Sequence, residues 1–156
     1  MLAVDWGTKH FGVAISDPTR LIAQPLTTLT RRAHHRAPVA RVVALAAEHG
    51  ATEIVVGLPL TPEGEEGDAA KAARAFGAAI AERSGRPVVF VDERLSTVHA
   101  LKSARRAGVR DRDSRERIDQ MAAVAILQRW LDVQAHGRTG AQAHGRTGAP
   151  SDRHGS

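Results

Sequence analysis

Apolar and polar positions alternate with a period of two along residues 1–6 and 11–17, on either side of the turn-forming run Gly7-Thr8-Lys9-His10. That pattern predicts a β-hairpin. A third strand is expected over Ala23–Thr30, weakened by Pro25. Asp5 shares its face of the first strand with Ala3, and one face of the second strand carries Gly12, Ala14 and Ser16. If these faces coincide, Asp5 overlooks small side chains with room for a ligand.

Beyond residue 36 the pattern changes. A helix is expected from about Ala37 to His49, with Pro38 in its first turn and Gly50 just past its end. In Glu53-Ile54-Val55-Val56 the residues after Glu53 form a continuous apolar run, as expected of a parallel strand buried on both faces, and lead into Gly57-Leu58-Pro59 and an acidic, Gly-rich loop. Asp68 is placed to cap an Ala-rich helix closing at Gly85. A second buried strand over 88–91 runs straight into Asp92-Glu93-Arg94. Ser96 or Thr97 can cap the next helix, which ends near Gly108, and Asp113 with Glu116 resembles a capping box opening a last helix through about Val133. The order β-β-β-α-β-α-β-α-α predicts an α/β fold. Its sheet is mixed and five-stranded, an antiparallel meander extended by two parallel strands through helical crossovers.

The domain is expected over residues 1–134. The remainder, 135–156, contains Ala-His-Gly-Arg-Thr-Gly-Ala twice, at 135–141 and 143–149. Two short polar copies are too few for a solenoid and carry nothing to bury, so this segment is expected to be a disordered tail.

Composition narrows the classes. The 156 residues suit one domain, include no cysteine, and hold no apolar run approaching the ~20 needed to span a bilayer. A soluble, cytoplasmic protein with no signal peptide and no membrane partner is the expectation. The net charge of +5 favours a polyanionic partner, and the positive charge is almost all Arg, with only Lys9, Lys71 and Lys102 as lysines. Tyr is absent and other aromatics are few, which argues against a base-stacking platform.

Three acids stand out against this basic background. Asp5 ends a strand expected to be central, where an unpaired carboxylate is costly; its bland counterpart is an ordinary strand-end acid before a tight turn. Glu93 follows a buried strand, and ligands of open α/β sheets gather at the carboxyl ends of parallel strands. Alternation allows only one of Asp92 and Glu93 to point inward, and Glu93 is chosen. Asp119 sits one turn ahead of a stretch apolar nearly all round, with Ala122 and Ala123 on its own face. A surface pair with Arg115 at i−4 is the competing role.

If the three converge, their mutual repulsion opposes folding unless a cation neutralises them. An oxygen-only set points to Mg²⁺ or Mn²⁺, one or two ions, and to phosphodiester hydrolysis without a protein nucleophile. Asp5, Glu93 and Asp119 are then both the catalytic and the metal-binding candidates. Lys9, Arg94, Arg105, Arg106 and Arg110 are candidates for a phosphate-gripping rim, against a solvated face for any single one. The histidines show no metal-ligand spacing and receive no role.

Four motifs, in order, carry a family resemblance: Asp5-Trp6-Gly7-Thr8-Lys9 with Gly12-Val13-Ala14-Ile15-Ser16-Asp17; Val56-Gly57-Leu58-Pro59; Val91-Asp92-Glu93-Arg94-Leu95-Ser96-Thr97; and Ile118-Asp119-Gln120-Met121 with the apolar run through Leu131. Over about residues 1–133 the chain resembles the YqgF/RuvX family of pre-16S rRNA nucleases, also described as Holliday-junction-resolvase-like. The resemblance implies an RNase H-like fold and a metal-dependent nuclease site at Asp5, Glu93 and Asp119. It also implies a role in maturing the 5′ end of 16S rRNA, with precursor rRNA or a ribosomal particle as partner. His10 departs from the family's usual Arg and makes a charge in the turn conditional on pH. Ser96 replaces a common Thr.

Three other functions compete. A Holliday-junction resolvase acting on DNA and a non-catalytic RNA- or ribosome-binding assembly factor both fit a basic chain. A sugar-kinase or actin-like ATPase shares the glycine-bearing hairpin but needs two related domains, for which this chain is too short. RNA is not separated from DNA by these residues, nor monomer from dimer.

Overall fold

The computed structural model describes residues 1–7, 9–95, 98–108 and 110–147, excluding the side chains of 95, 99, 106 and 138–147. Three strands open it: β1 (Leu2–Asp5), β2 (His10–Ser16) and β3 (Ala23–Thr30). Helix α1 (Val39–Glu48), strand β4 (Ile54–Leu58), helix α2 (Asp68–Ser84) and strand β5 (Val88–Asp92) follow. A single 3₁₀ turn, Glu93–Leu95, leads to α3 (Val98–Arg106) and the long α4 (Arg112–Thr147). The five strands form one sheet in the order β3-β2-β1-β4-β5. β1–β2 and β2–β3 pair antiparallel, β1–β4 and β4–β5 parallel. This is the expected meander extended by two parallel strands.

β1 lies at the centre and is buried along its whole length. Its alternation sorts the core into two layers. Leu2 and Val4 face one side, where Phe11, Val13, Val42, Ile54, Phe76 and Ile80 join them beneath α1 and α2. Ala3 faces the other with Ala14, Val55 and Val91, covered by Ala122, Ala123, Ile126 and Leu127 of α4. The second layer is thin because its sheet residues are small.

At one point the sheet and α4 meet backbone to backbone. Gly12 stands opposite Asp5 in the β1–β2 register. A Cβ on Gly12 would collide with the Asp119 main-chain carbonyl and reach Gln120 N at 3.0 Å. Polar contacts fix the same helix along β3: Thr28 Oγ1 donates to the Glu116 carbonyl, Gln120 donates to Thr28, and Gln128 both accepts from Ala23 N and donates to the Leu21 carbonyl.

Several helix ends differ from expectation. Pro38 is the residue before α1, not within its first turn. Gly67, in extended conformation, precedes α2, so Asp68 stands in the first turn and makes no side-chain cap bond. Its charge still faces the positive end of the helix dipole. Gly85 closes α2 with φ 68°, as its position predicts. The expected box of Asp113 and Glu116 does not form. Asp111 caps instead, accepting from both the main-chain N–H and the hydroxyl of Ser114, while Glu116 pairs with Arg112. Two acids spaced two apart offered alternative registers, and the chain takes the earlier one. Ser96 and Thr97 lie outside the described residues.

α4 also runs on to Thr147, so residues 135–147 continue a helix where disorder was expected. Helix propagation adds one hydrogen bond per residue fixed and needs no core of its own. Among the residues whose side chains are described, the buried apolar ones nonetheless end at Leu131. Among the described residues, no helix is long and apolar enough to cross a membrane.

The contact at Gly12 yields a prediction. Gly12→Ala should lower stability by about 3 kcal/mol, because two backbones must separate to admit a methyl group. Thermal denaturation should show a Tm lower by roughly 10 °C; an unchanged Tm would mean that α4 does not sit this close.

Candidate metal and nucleic-acid site

Asp5, Glu93 and Asp119 are the buried charged residues of the protein among those described, at 5%, 7% and 8% exposure. Each is delivered by a different device. Asp5 ends β1 on the face of Ala3, opposite Gly12. Glu93 follows β5 and continues the face of Val91, while Asp92 points away and pairs with Arg94 at 2.8 Å. Gly57 makes the space for Glu93, since a Cβ there would stand 2.6 Å from Glu93 Oε1 and from Ile126 Cδ1. Asp119 is lowered onto the sheet by the α4 contact at Gly12.

Two cations from α3 hold the three acids. Lys102 Nζ lies 3.1 Å from Asp5 Oδ1 and 2.9 Å from Glu93 Oε2, bridging β1 to the turn after β5. It also approaches the Trp6 carbonyl at 3.4 Å. Arg105 Nε lies 2.9 Å from Asp119 Oδ1, so the partner of Asp119 is Arg105 and not the i−4 residue Arg115. The acids are thus brought to one edge but balanced in two groups. Among the described residues, no three acidic or histidine side chains close around a single metal position.

The electrostatics follow from burial. Desolvation pushes the Asp5 carboxyl up to about 8; Lys102 opposes the shift and Glu93 adds to it. Burial also raises Asp119, against the pull of Arg105 and His10. For Lys102, burial favours the neutral amine, but Asp5 and Glu93 together outweigh it and leave the ammonium raised. His10 is lowered by burial and by Arg105, with Asp119 opposing.

A cleft of about 480 Å³ opens over this edge, lined by Asp5, Trp6, Lys9, His10, Lys102, Arg105, Arg115 and Asp119 among others. Of the expected rim, Lys9 and Arg105 line it. Arg94 does not, being committed to Asp92 and to the Pro62 carbonyl. Arg110 is exposed in the turn between α3 and α4, and the Arg106 side chain lies outside the described residues. Lys102 is the residue whose part the sequence does not disclose. In the chain it is one of many cations between Glu93 and Asp119, and only folding turns it inward. Its single signal is that it is a lysine amid arginines.

The donor set fits a divalent cation of the hard, oxygen-preferring kind. All three donors are carboxylates, and Asp119 Oδ2 is buried with no hydrogen-bond partner. An ammonium already occupies the space between Asp5 and Glu93, which shows that this position accepts positive charge.

The model of the RuvX family, described as Holliday junction resolvase, matches residues 1–133. Curated relatives named "Putative pre-16S rRNA nuclease" include one from Myxococcus xanthus, 46% identical over 84% of this chain and 86% of its own. One from Rhodococcus erythropolis is 44% identical over 84% and 76%, and one from Mycobacterium tuberculosis H37Rv is 46% identical over 89% and 82%. Among solved structures, Thermus thermophilus RuvC in complex with a Holliday junction substrate superposes with a TM-score of 0.54 over 86% of this chain and 96% of its own, at 16% identity. That likeness shows an RNase H-like fold.

The raised carboxyl of Asp5 sets a pH dependence. A group whose pKa rises on folding contributes stability that is present below its unfolded value of 3.8 and is lost as pH climbs through about 8. Asp5→Asn removes that term while keeping the shape. Without added metal, the Tm of Asp5→Asn minus that of the wild type should therefore grow from pH 5 to pH 8.5. A gap that is flat with pH would mean that Asp5 ionises normally in the folded protein.

Proposed function

The chain belongs to the RuvX family, and from that premise we propose that it is a metal-dependent nuclease hydrolysing phosphodiester bonds of precursor 16S rRNA at its 5′ end. The observation that carries this reading is the burial of Asp5, Glu93 and Asp119 at one sheet edge, beneath a cleft flanked by cations. Such a concentration of buried carboxylate costs several kcal/mol unless compensated, so a fold retaining it calls for a reason beyond stability. Relatives at 44–46% identity named for pre-16S rRNA favour RNA over a DNA junction.

Asp5, Glu93 and Asp119 would hold one or two Mg²⁺ or Mn²⁺ ions. The bound ion supplies an activated water and stabilises charge on the leaving oxygen. The protein's own groups do the rest. The carboxylates are fixed on a strand, a turn and a helix whose packing leaves little freedom, so the donors are pre-organised. Lys102 and Arg105, which pair with the acids, lie where they can turn to substrate phosphates once a cation takes over that task. Lys9 projects from the hairpin turn over the same cleft. His10 lines the cleft beside it.

Two measurements test the reading. Added Mg²⁺ or Mn²⁺ should raise the Tm of the wild type at pH 8 and leave that of Asp5→Asn almost unmoved. In cleavage assays offering precursor 16S rRNA and a four-way DNA junction, the wild type should cut the RNA only with divalent metal. Asp5→Asn should lose at least a hundredfold in rate while still binding it. Preferential cutting of the junction would establish the resolvase. Binding without cleavage under any metal would establish an assembly factor.

A further inference from the structure

Between Asp17 and Glu48 the chain contains no acidic residue, yet it carries Arg20, Arg31, Arg32, Arg36 and Arg41 together with His34 and His35. The middle of this interval is the connection from β3 to α1. It emerges at the acidic edge, because Thr30, the last residue of β3, pairs with His10 of β2, and Arg31 N donates to the Lys9 carbonyl at 2.8 Å. Lys9 and His10 both line the acidic cleft. The Arg31 guanidinium lies 5.9 Å from the ring centre of Trp6, another residue of that cleft.

From there Arg32, His34, His35, Arg36 and Arg41 are all exposed. Among the described residues, no carboxylate pairs with Arg32, Arg36 or Arg41, in contrast to Lys102, Arg105, Arg94 and Arg74, which are each engaged by an acid. The segment then borders a groove of about 590 Å³ between α1 and α2, lined by Arg36, Arg41 and Arg83 with Glu82 as its one acid. Arg36 is five positions beyond Arg31, so its Cα lies within roughly 18 Å of that of Arg31.

The opposite flank has the opposite sign. The connection from β4 to α2 carries Glu63, Glu65, Glu66 and Asp68, all exposed, and reaches the cleft through Pro59 and Ala69; Arg74, paired with Glu66, and Arg94, against the Pro62 carbonyl, offset only part of this charge. A polyanion lying across the acidic edge is therefore attracted on one side and repelled on the other.

We propose that the nucleic-acid strand leaves the cleft over the β3–α1 connection, its phosphates held by Arg32, Arg36 and Arg41 and received by the α1–α2 groove, and not over the β4–α2 loop. This rests on the nuclease reading for the place of the scissile bond, but binding alone tests it. Exposed guanidinium groups with no competing carboxylate are available for phosphate at little desolvation cost, whereas the cations of α3 must first leave buried acids.

The experiment compares the wild type with the triple variant Arg32→Gln, Arg36→Gln, Arg41→Gln for binding to precursor 16S rRNA across a salt series, both in an Asp5→Asn background to prevent cleavage. The triple variant should bind at least tenfold more weakly and show a slope of log affinity against log salt shallower by about 2. The same charge loss placed on α4, by Arg112→Gln, Arg117→Gln and Arg129→Gln, should flatten the slope less. Equal flattening by the two triples would assign the effect to net charge and overturn the path, as would an unaltered slope in the first. Because Arg32, Arg36 and Arg41 are exposed, circular dichroism and Tm of the first triple should match the parent, and its affinity difference then reports contact. Steep salt-dependent binding by a wild type that cuts nothing would defeat the nuclease reading and leave the path standing. Efficient metal-dependent cleavage with an unaltered slope in the Arg32, Arg36, Arg41 triple variant would do the reverse.

Discussion

The approach of α4 to the sheet at Gly12 is the constraint on which the rest of the structure depends. One residue without a side chain, placed opposite Asp5, lets the main chain of Asp119 rest directly on β2. Ala3, Ala14, Ala122 and Ala123 extend the close contact along the layer. Larger residues at these positions would still be apolar and would still bury surface, but they would lift the helix by a side-chain thickness. Asp119 would then overlook the cleft from a distance, and the edge would hold two acids instead of three.

This closeness has an electrostatic consequence that the protein meets from a single element. Three carboxylates are removed from water here, and α3 supplies an ammonium and a guanidinium three residues apart to meet them. The edge thus carries its own counter-charges. Its outer surface is not neutralised in the same way: basic residues dominate the β3–α1 side of the cleft and acidic residues the β4–α2 side. A buried charge balance thus lies beneath a polarised surface.

Much of this was legible beforehand, and what was missed has definite causes. The strands were readable because alternation and continuous apolar runs differ, and β4 and β5 follow those patterns closely. The three acids were readable because each adjoins a buried stretch, which limits where its side chain can go. Caps were less legible. Asp68, Asp111 and Asp113 are equally good cap residues by type, and a shift of one or two positions is decided by how the preceding loop arrives. Residues 135–147 are polar with little to bury, yet they extend a helix that has already begun. Local composition does not register that head start. The partners of the charges were least legible. Arg115 sits at the right spacing for Asp119 on its own helix, but Arg105 reaches it from another, and Arg94 is taken by its neighbour Asp92.

The sequence by itself determined the order of elements, the sheet they form and which carboxylates are forced inward, because periodicity and burial act over a few residues and leave their mark in the chain. Tertiary structure alone decided which cation meets which acid, that Lys102 stands between Asp5 and Glu93, and which flank of the cleft is positive. Those outcomes depend on distances between residues far apart in the chain, set by the packing of α3 and α4, and the Coulomb energy that selects among many available arginines is a function of those distances.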